Sequence, residues 1–119
     1  MLPVSHQQSY TELKIALEGL QTAIASEPPE LERLEHENYK VQQVYQDRIV
    51  SLITESVDLA IASRWRSLHT EVNRSLRLLQ TDIIFFKASR QVQTSQQRLT
   101  ACLTRIEQLI GYCHELIGL

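Results

Sequence analysis

Residues 61–86, IASRWRSLHTEVNRSLRLLQTDIIFF, decide the fold class. Ile61, Trp65, Leu68, Val72, Leu76, Leu79, Ile83 and Phe86 recur at steps of four and three. That spacing keeps one line of side chains on one side of an α-helix and cannot hold a strand in register. Between them stand Arg, Ser, Thr, Glu and Gln, so the helix is apolar on one side and wet on the other. Ile83-Ile84-Phe85-Phe86 breaks the rule, since four consecutive apolar residues cannot share one face. Either this helix is flanked on two sides within its own bundle, or Phe85 and Leu78 contribute to an interface between chains.

Working outward, the same alternation appears on both sides. Tyr10, Leu13, Leu17, Leu20 and Ile24 mark a first helix from about Ser5 to Ser26, with Ser5 as its expected N-cap. Pro28-Pro29 ends it, because proline disfavours helix in the residue before it. Leu31, Leu34, Val41, Tyr45 and Leu52 mark a second helix from about Pro29 to Thr54. Asn38 and Arg48 occupy the two polar positions of its stripe, and Val44 and Ile49 widen the stripe. A turn is expected near residues 54–59, with Ser56, Asp58 and Ser63 as candidate caps, since one helix from Pro29 to Ser89 would run about 90 Å. The third helix ends near Arg90. Thr94 and Gln97 match a capping box before a fourth helix from about Ser95 to Ile117, whose stripe is Leu99, Cys102, Ile106, Leu109, Cys113 and Leu116. Gly118 is its expected stop.

Short connections make sequential helices antiparallel neighbours. The expected fold is therefore all-α: a single domain over residues 1–119, built as an antiparallel bundle of four long helices with coiled-coil-like packing. Three glycines and three prolines in 119 residues suit a chain that is mostly helix.

No apolar run approaches the roughly 20 residues that span a bilayer. Met1–His6 has neither a basic n-region nor a long apolar stretch, so no signal peptide and a cytoplasmic protein are expected. Cys102 and Cys113 lie three helical turns apart, about 16 Å on one face, too far for a bridge within the helix. Buried thiols are expected, with a disulfide between chains only if that helix lies in a dimer interface.

The spacings that would signal chemistry are missing. The residues three before His36, His69 and His114 are Arg33, Arg66 and Gly111, not the glutamates of a di-iron bundle. His36-Glu37 has no second histidine at metalloprotease spacing, and Cys113-His114 point apart on a helix. No glycine-rich loop cradles phosphate. His36 is the best phosphoacceptor candidate, and a solvated histidine is the better reading. Catalytic, cofactor and metal residues are therefore expected to be none.

What remains is surface. Residues 1–60 hold ten acids and four bases, whereas residues 61–119 hold four acids and eight bases. The surplus is either matched laterally between helices or steers an acidic partner. The candidate partner-binding residues are Arg66, Arg74, Arg77, Phe85, Lys87 and Arg90. Nucleic acid is disfavoured, because the whole chain is mildly acidic and no aromatics interleave with the arginines. Trp65 belongs to the core stripe, and Tyr39 and Tyr45 are expected half-buried with wet hydroxyls.

The stretch Glu71–Gln91 (EVNRSLRLLQTDIIFFKASRQ), the Met1-Leu2-Pro3 start and the Arg98-Leu99 to Tyr112-Cys113 pattern resemble the cyanobacterial PatD family, the small heterocyst frequency control proteins. The resemblance is clearest over residues 65–113. It implies a regulatory protein that binds the tubulin-like division protein FtsZ and affects its assembly. It brings no site residues with it; the six named above rest on charge and exposure alone. A helical adaptor for another protein, a signalling or nucleic-acid-binding bundle, and a homodimer are the other expectations the residues leave open.

Overall fold

The computed structural model describes residues 1–54 and 56–119. They form α1 (Val4–Ala25), α2 (Leu31–Val44), α3 (Leu59–Ala88) and α4 (Val92–Ile117). α2 continues through a π-helical turn, Tyr45–Ile49, into a 3₁₀ segment, Val50–Thr54. No strand occurs among the described residues. The molecule measures 50 × 20 × 20 Å. A 30-residue helix is about 45 Å long, so the helices lie close to the long axis. Among the described residues no helix is long and apolar enough to cross a membrane.

Contacts across the bundle establish an up-down-up-down course. Leu2 N–H donates to the Leu119 carbonyl, which ties the two termini together at one end. Arg64 meets Glu115 at 3.3 Å near that end, and Arg105 meets Asp82 at 3.2 Å further along. α3 packs on α4, α4 on α1 and α1 on α2. The fourth side, between α2 and α3, is bridged by polar side chains. Asn38 and Gln80 exchange two amide hydrogen bonds of 2.8 and 2.9 Å, and Tyr45 donates to Asn73 at 2.9 Å. Lys87 reaches Glu35 at 2.6 Å.

The core is the set of stripes read from the spacing: Tyr10, Leu13, Leu17 and Leu20 from α1, Trp65, Val72 and Leu79 from α3, Ile106, Leu109 and Leu116 from α4. Fully burying one such side chain contributes roughly 1.5–3 kcal/mol, which offsets the entropy of ordering it.

The stripe of the second helix is corrected. Continued α-geometry would turn Arg48 toward the core. The π-turn, in which Val50 N–H bonds the Tyr45 carbonyl, inserts one extra residue and delays the stripe. Ile49 becomes fully buried instead, and Arg48 swings out to pair with Glu12 at 3.3 Å. The tighter 3₁₀ winding that follows brings Leu52 inside three residues later.

Helix starts also shift. α1 begins at Val4 with Pro3 at the cap position, so Ser5 lies inside the first turn and caps nothing. Proline has no N–H to leave unsatisfied there and its φ already suits a helix start. α4 begins at Val92, three residues before Ser95, with Gln91 at the cap position and no side-chain cap. The expected Thr94–Gln97 box is consumed as first-turn helix, and Ser95 N–H bonds the Gln91 carbonyl at 2.9 Å. The turn before α3 falls within 54–59 as the spacing predicts, although Glu55 lies outside the described residues. Of the three candidate caps there, Asp58 is the one used, accepting from Ala60 N–H at 3.0 Å.

Candidate partner-binding surface

α3 carries the sequence-predicted surface, and its pitch divides the six residues into three groups. At about 100° per residue, Arg66, Arg77 and Ile84 fall on one line of the outer face. Arg74 and Phe85 fall on a second line about 80° further round. All five are exposed. Lys87 turns about 80° the other way, toward α2, and is committed to Glu35. It is therefore withdrawn from the outer face. Arg90 lies beyond the helix end and lines a groove at the turn end of the bundle.

The outer lines differ in how far the fold already satisfies them. Arg74 is held by Glu71 one turn earlier, at 3.2 Å. Phe85 remains 48% exposed, with the guanidinium of Arg98 from α4 over its ring at 4.8 Å. That stacking is a cation–π contact, worth about 0.5–1 kcal/mol when exposed. Arg66 and Arg77 make no ion pair with a described residue. Arg77 lies near Tyr45, whose hydroxyl is pushed up by burial and drawn partly back by that guanidinium.

Ile84 is 64% exposed and Val92, across the α3–α4 turn, is 74% exposed. Behind them the turn end opens into a groove of about 860 Å³. Its floor is Ile24, Phe86, Leu99 and Leu103, and Arg90 and Glu27 stand among its lining residues. Of the two explanations for the Ile83–Phe86 run, flanking within the bundle accounts for Ile83 and Phe86, which face the core. It does not account for Ile84 and Phe85. Leu78 is half-buried. Tyr39 is 59% exposed, not half-buried.

The other titratable groups are internal. At the end where the termini meet, the Trp65 indole N–H donates to the Tyr10 hydroxyl at 2.9 Å. Tyr10 lies 2.9 Å from His69 Nδ1. An indole can only donate, so the Tyr10 hydroxyl accepts from Trp65, while the direction of the Tyr10–His69 bond follows the His69 tautomer. Burial, followed by the neighbouring His6, pushes the His69 imidazole below its usual range. Burial also pushes the Tyr10 hydroxyl far up. This network escaped the spacing argument, although its members sit on the stripes: His6 and Tyr10, and Trp65 and His69, are each one turn apart. A histidine in a core stripe was the available signal.

Cys102 and Cys113 are both buried. Burial pushes their thiols up to about 11 and about 12. The thiolate is the nucleophilic form, so neither is reactive near neutral pH. Among the described residues, no three His, Cys, Asp or Glu side chains gather in a group that could hold a metal. His36 is exposed on α2.

No protein-family model matches the chain, and neither the curated proteins nor the solved structures contain a significant match.

Proposed function

We propose that this chain is a non-enzymatic regulatory protein of the cytoplasm that binds FtsZ and modulates its assembly, acting in the control of heterocyst frequency. The partner's identity rests on the resemblance of residues 65–113 to the PatD family. The observation that carries a binding role is the outer face of α3. Arg66, Arg74, Arg77 and Phe85 stand exposed along about 28 Å of helix, and the core draws on none of them. A row of guanidinium groups ending in an aromatic ring fits an acidic surface with an apolar anchor. Charge sets the rate and register of such encounters, while the desolvated aromatic holds the complex.

Co-sedimentation with polymerising FtsZ tests the proposal. The expected result is protein in the pellet, a changed polymer mass, and weaker binding as salt rises. Absence of both effects at every salt concentration would overturn it. Phe85→Ala and Arg74→Glu with Arg77→Glu are the informative variants, since both should lose pelleting while retaining the helical signal.

A further inference from the structure

The α2–α3 side of the bundle carries a pattern of which the FtsZ reading uses only Arg77. Ile84 is exposed at its centre. Seven residues before it on α3, about 10 Å away at 1.5 Å per residue, stands Arg77, exposed and without an ion pair to a described residue. The two helices are antiparallel, and their contacts set the level of α2 against α3: Lys87–Glu35 puts Leu31 four residues beyond Lys87, and Asn38–Gln80 and Tyr45–Asn73 put it level with Lys87. Leu31 therefore sits about 5–10 Å past Ile84, on the side opposite Arg77. Leu31 is 49% exposed and is flanked by the exposed acids Glu30 and Glu32. Neither acid pairs with a described residue.

Along this side the surface thus reads basic, apolar, acidic in order. Such a stripe is complementary to itself under a twofold axis through its centre. We propose that the occupant of this face is a second copy of the chain, in an antiparallel twofold dimer centred on Ile84. Ile84 packs on Ile84 of the other copy. Arg77 of each copy meets Glu30 and Glu32 of the other, and Leu31 lies beside the aliphatic stem of that arginine. An interface of this type uses one patch on both copies and closes at two, so it does not run on into filaments. The dimer covers Arg77, which the two surfaces would then share, and leaves the Arg74–Phe85 line open, so Arg74→Glu alone tests FtsZ binding without touching this interface. It does not depend on the identity of the partner proposed above.

Sedimentation equilibrium over a dilution series tests it directly. The wild-type mass should climb with concentration from 13.7 kDa toward twice that value, and the transition should move to higher concentration as salt is added. Ile84→Asp should remain monomeric with an unchanged circular dichroism spectrum. Arg77→Glu, and separately Glu30→Lys with Glu32→Lys, should each weaken self-association at least tenfold. Mixing those two charge variants should restore a dimer, since every reversed contact then meets its opposite. A wild-type mass that stays at one chain, growth past two copies, a dimer that survives Ile84→Asp, or a mixture no tighter than its components would each overturn the proposal.

Discussion

Two clusters at opposite ends of the bundle satisfy their side chains in opposite ways, although apolar Met1, Val4 and Leu59 are exposed beside the first as well. At the end where the termini meet, polar groups are buried and bonded to one another: Trp65 to Tyr10, Tyr10 to His69 and Leu2 to Leu119. At the turn end, apolar groups are left in water: Ile84 and Phe85 on α3, and Val92 at the lining of an open groove. Burying a polar network costs desolvation and is worthwhile only when every member has a partner. Leaving an apolar patch exposed costs little in a single molecule, but it favours whatever will cover it. The contrast separates a region that specifies the fold from one that is free to bind.

The comparison is most easily broken at the buried end. Tyr10→Phe keeps the ring but removes the oxygen that serves both Trp65 and His69. Two buried groups then lose their partner at roughly 1–3 kcal/mol each. Urea denaturation should show a loss of about 2–4 kcal/mol. A loss under half that would mean that water reaches the site and substitutes.

Acid should act on the same end. The folded His69 stays neutral where the unfolded chain's histidine, near 6.5, has taken a proton. The native preference for neutral His69 is therefore fully present above about pH 6.5. It is lost as pH falls from there through the lower folded value. The denaturation midpoint should drop between pH 7.5 and 5.5, and the drop should shrink in His69→Phe. Equal slopes in the two proteins would show that His69 is not the responsible group. Fluorescence of Trp65, the chain's one tryptophan, should report the change first.

A smaller effect of the opposite sign is expected at Ser75. Its hydroxyl is fully buried and has no hydrogen-bond partner among the described residues. Ser75→Ala removes that group and improves helix propensity, for a gain of about 0.5–1 kcal/mol. No gain on thermal melting would mean that the hydroxyl has a partner after all.

The smallest effect on stability belongs to the turn end. Phe85→Ala should stay within about 1 kcal/mol of wild type, the value of its stacking on Arg98. It should nonetheless give the largest loss of partner binding. A marked fall in melting temperature would place Phe85 with the fold rather than with the surface.

Much of this was legible in the residues. The three- and four-step spacing of Leu, Ile and Val is a property of one helix and needs no neighbour to be read. The missing glutamates before His36, His69 and His114 are equally local. The exposure of Arg66, Arg74 and Arg77 also followed from pitch, whereas pitch left Phe85 open between packing within the bundle and an interface between chains. Lys87 did not, because its commitment to Glu35 depends on which helix lies beside it. The cap at Thr94 failed because a capping box competes with simple extension of the helix, which begins at Val92.

The sequence by itself determined that the chain is helical, where each helix turns its apolar side, and which chemistry its spacings do not encode. These are periodic properties, and periodicity is written in one dimension. Only the tertiary structure decided that Ile49 and not Arg48 enters the core, that Tyr10, Trp65 and His69 form one network, and that exposed Ile84 lies between Arg77 and the acids around Leu31. Each of those depends on the relative level of two helices, which is set by packing across tens of residues and leaves no mark in the spacing of either helix alone.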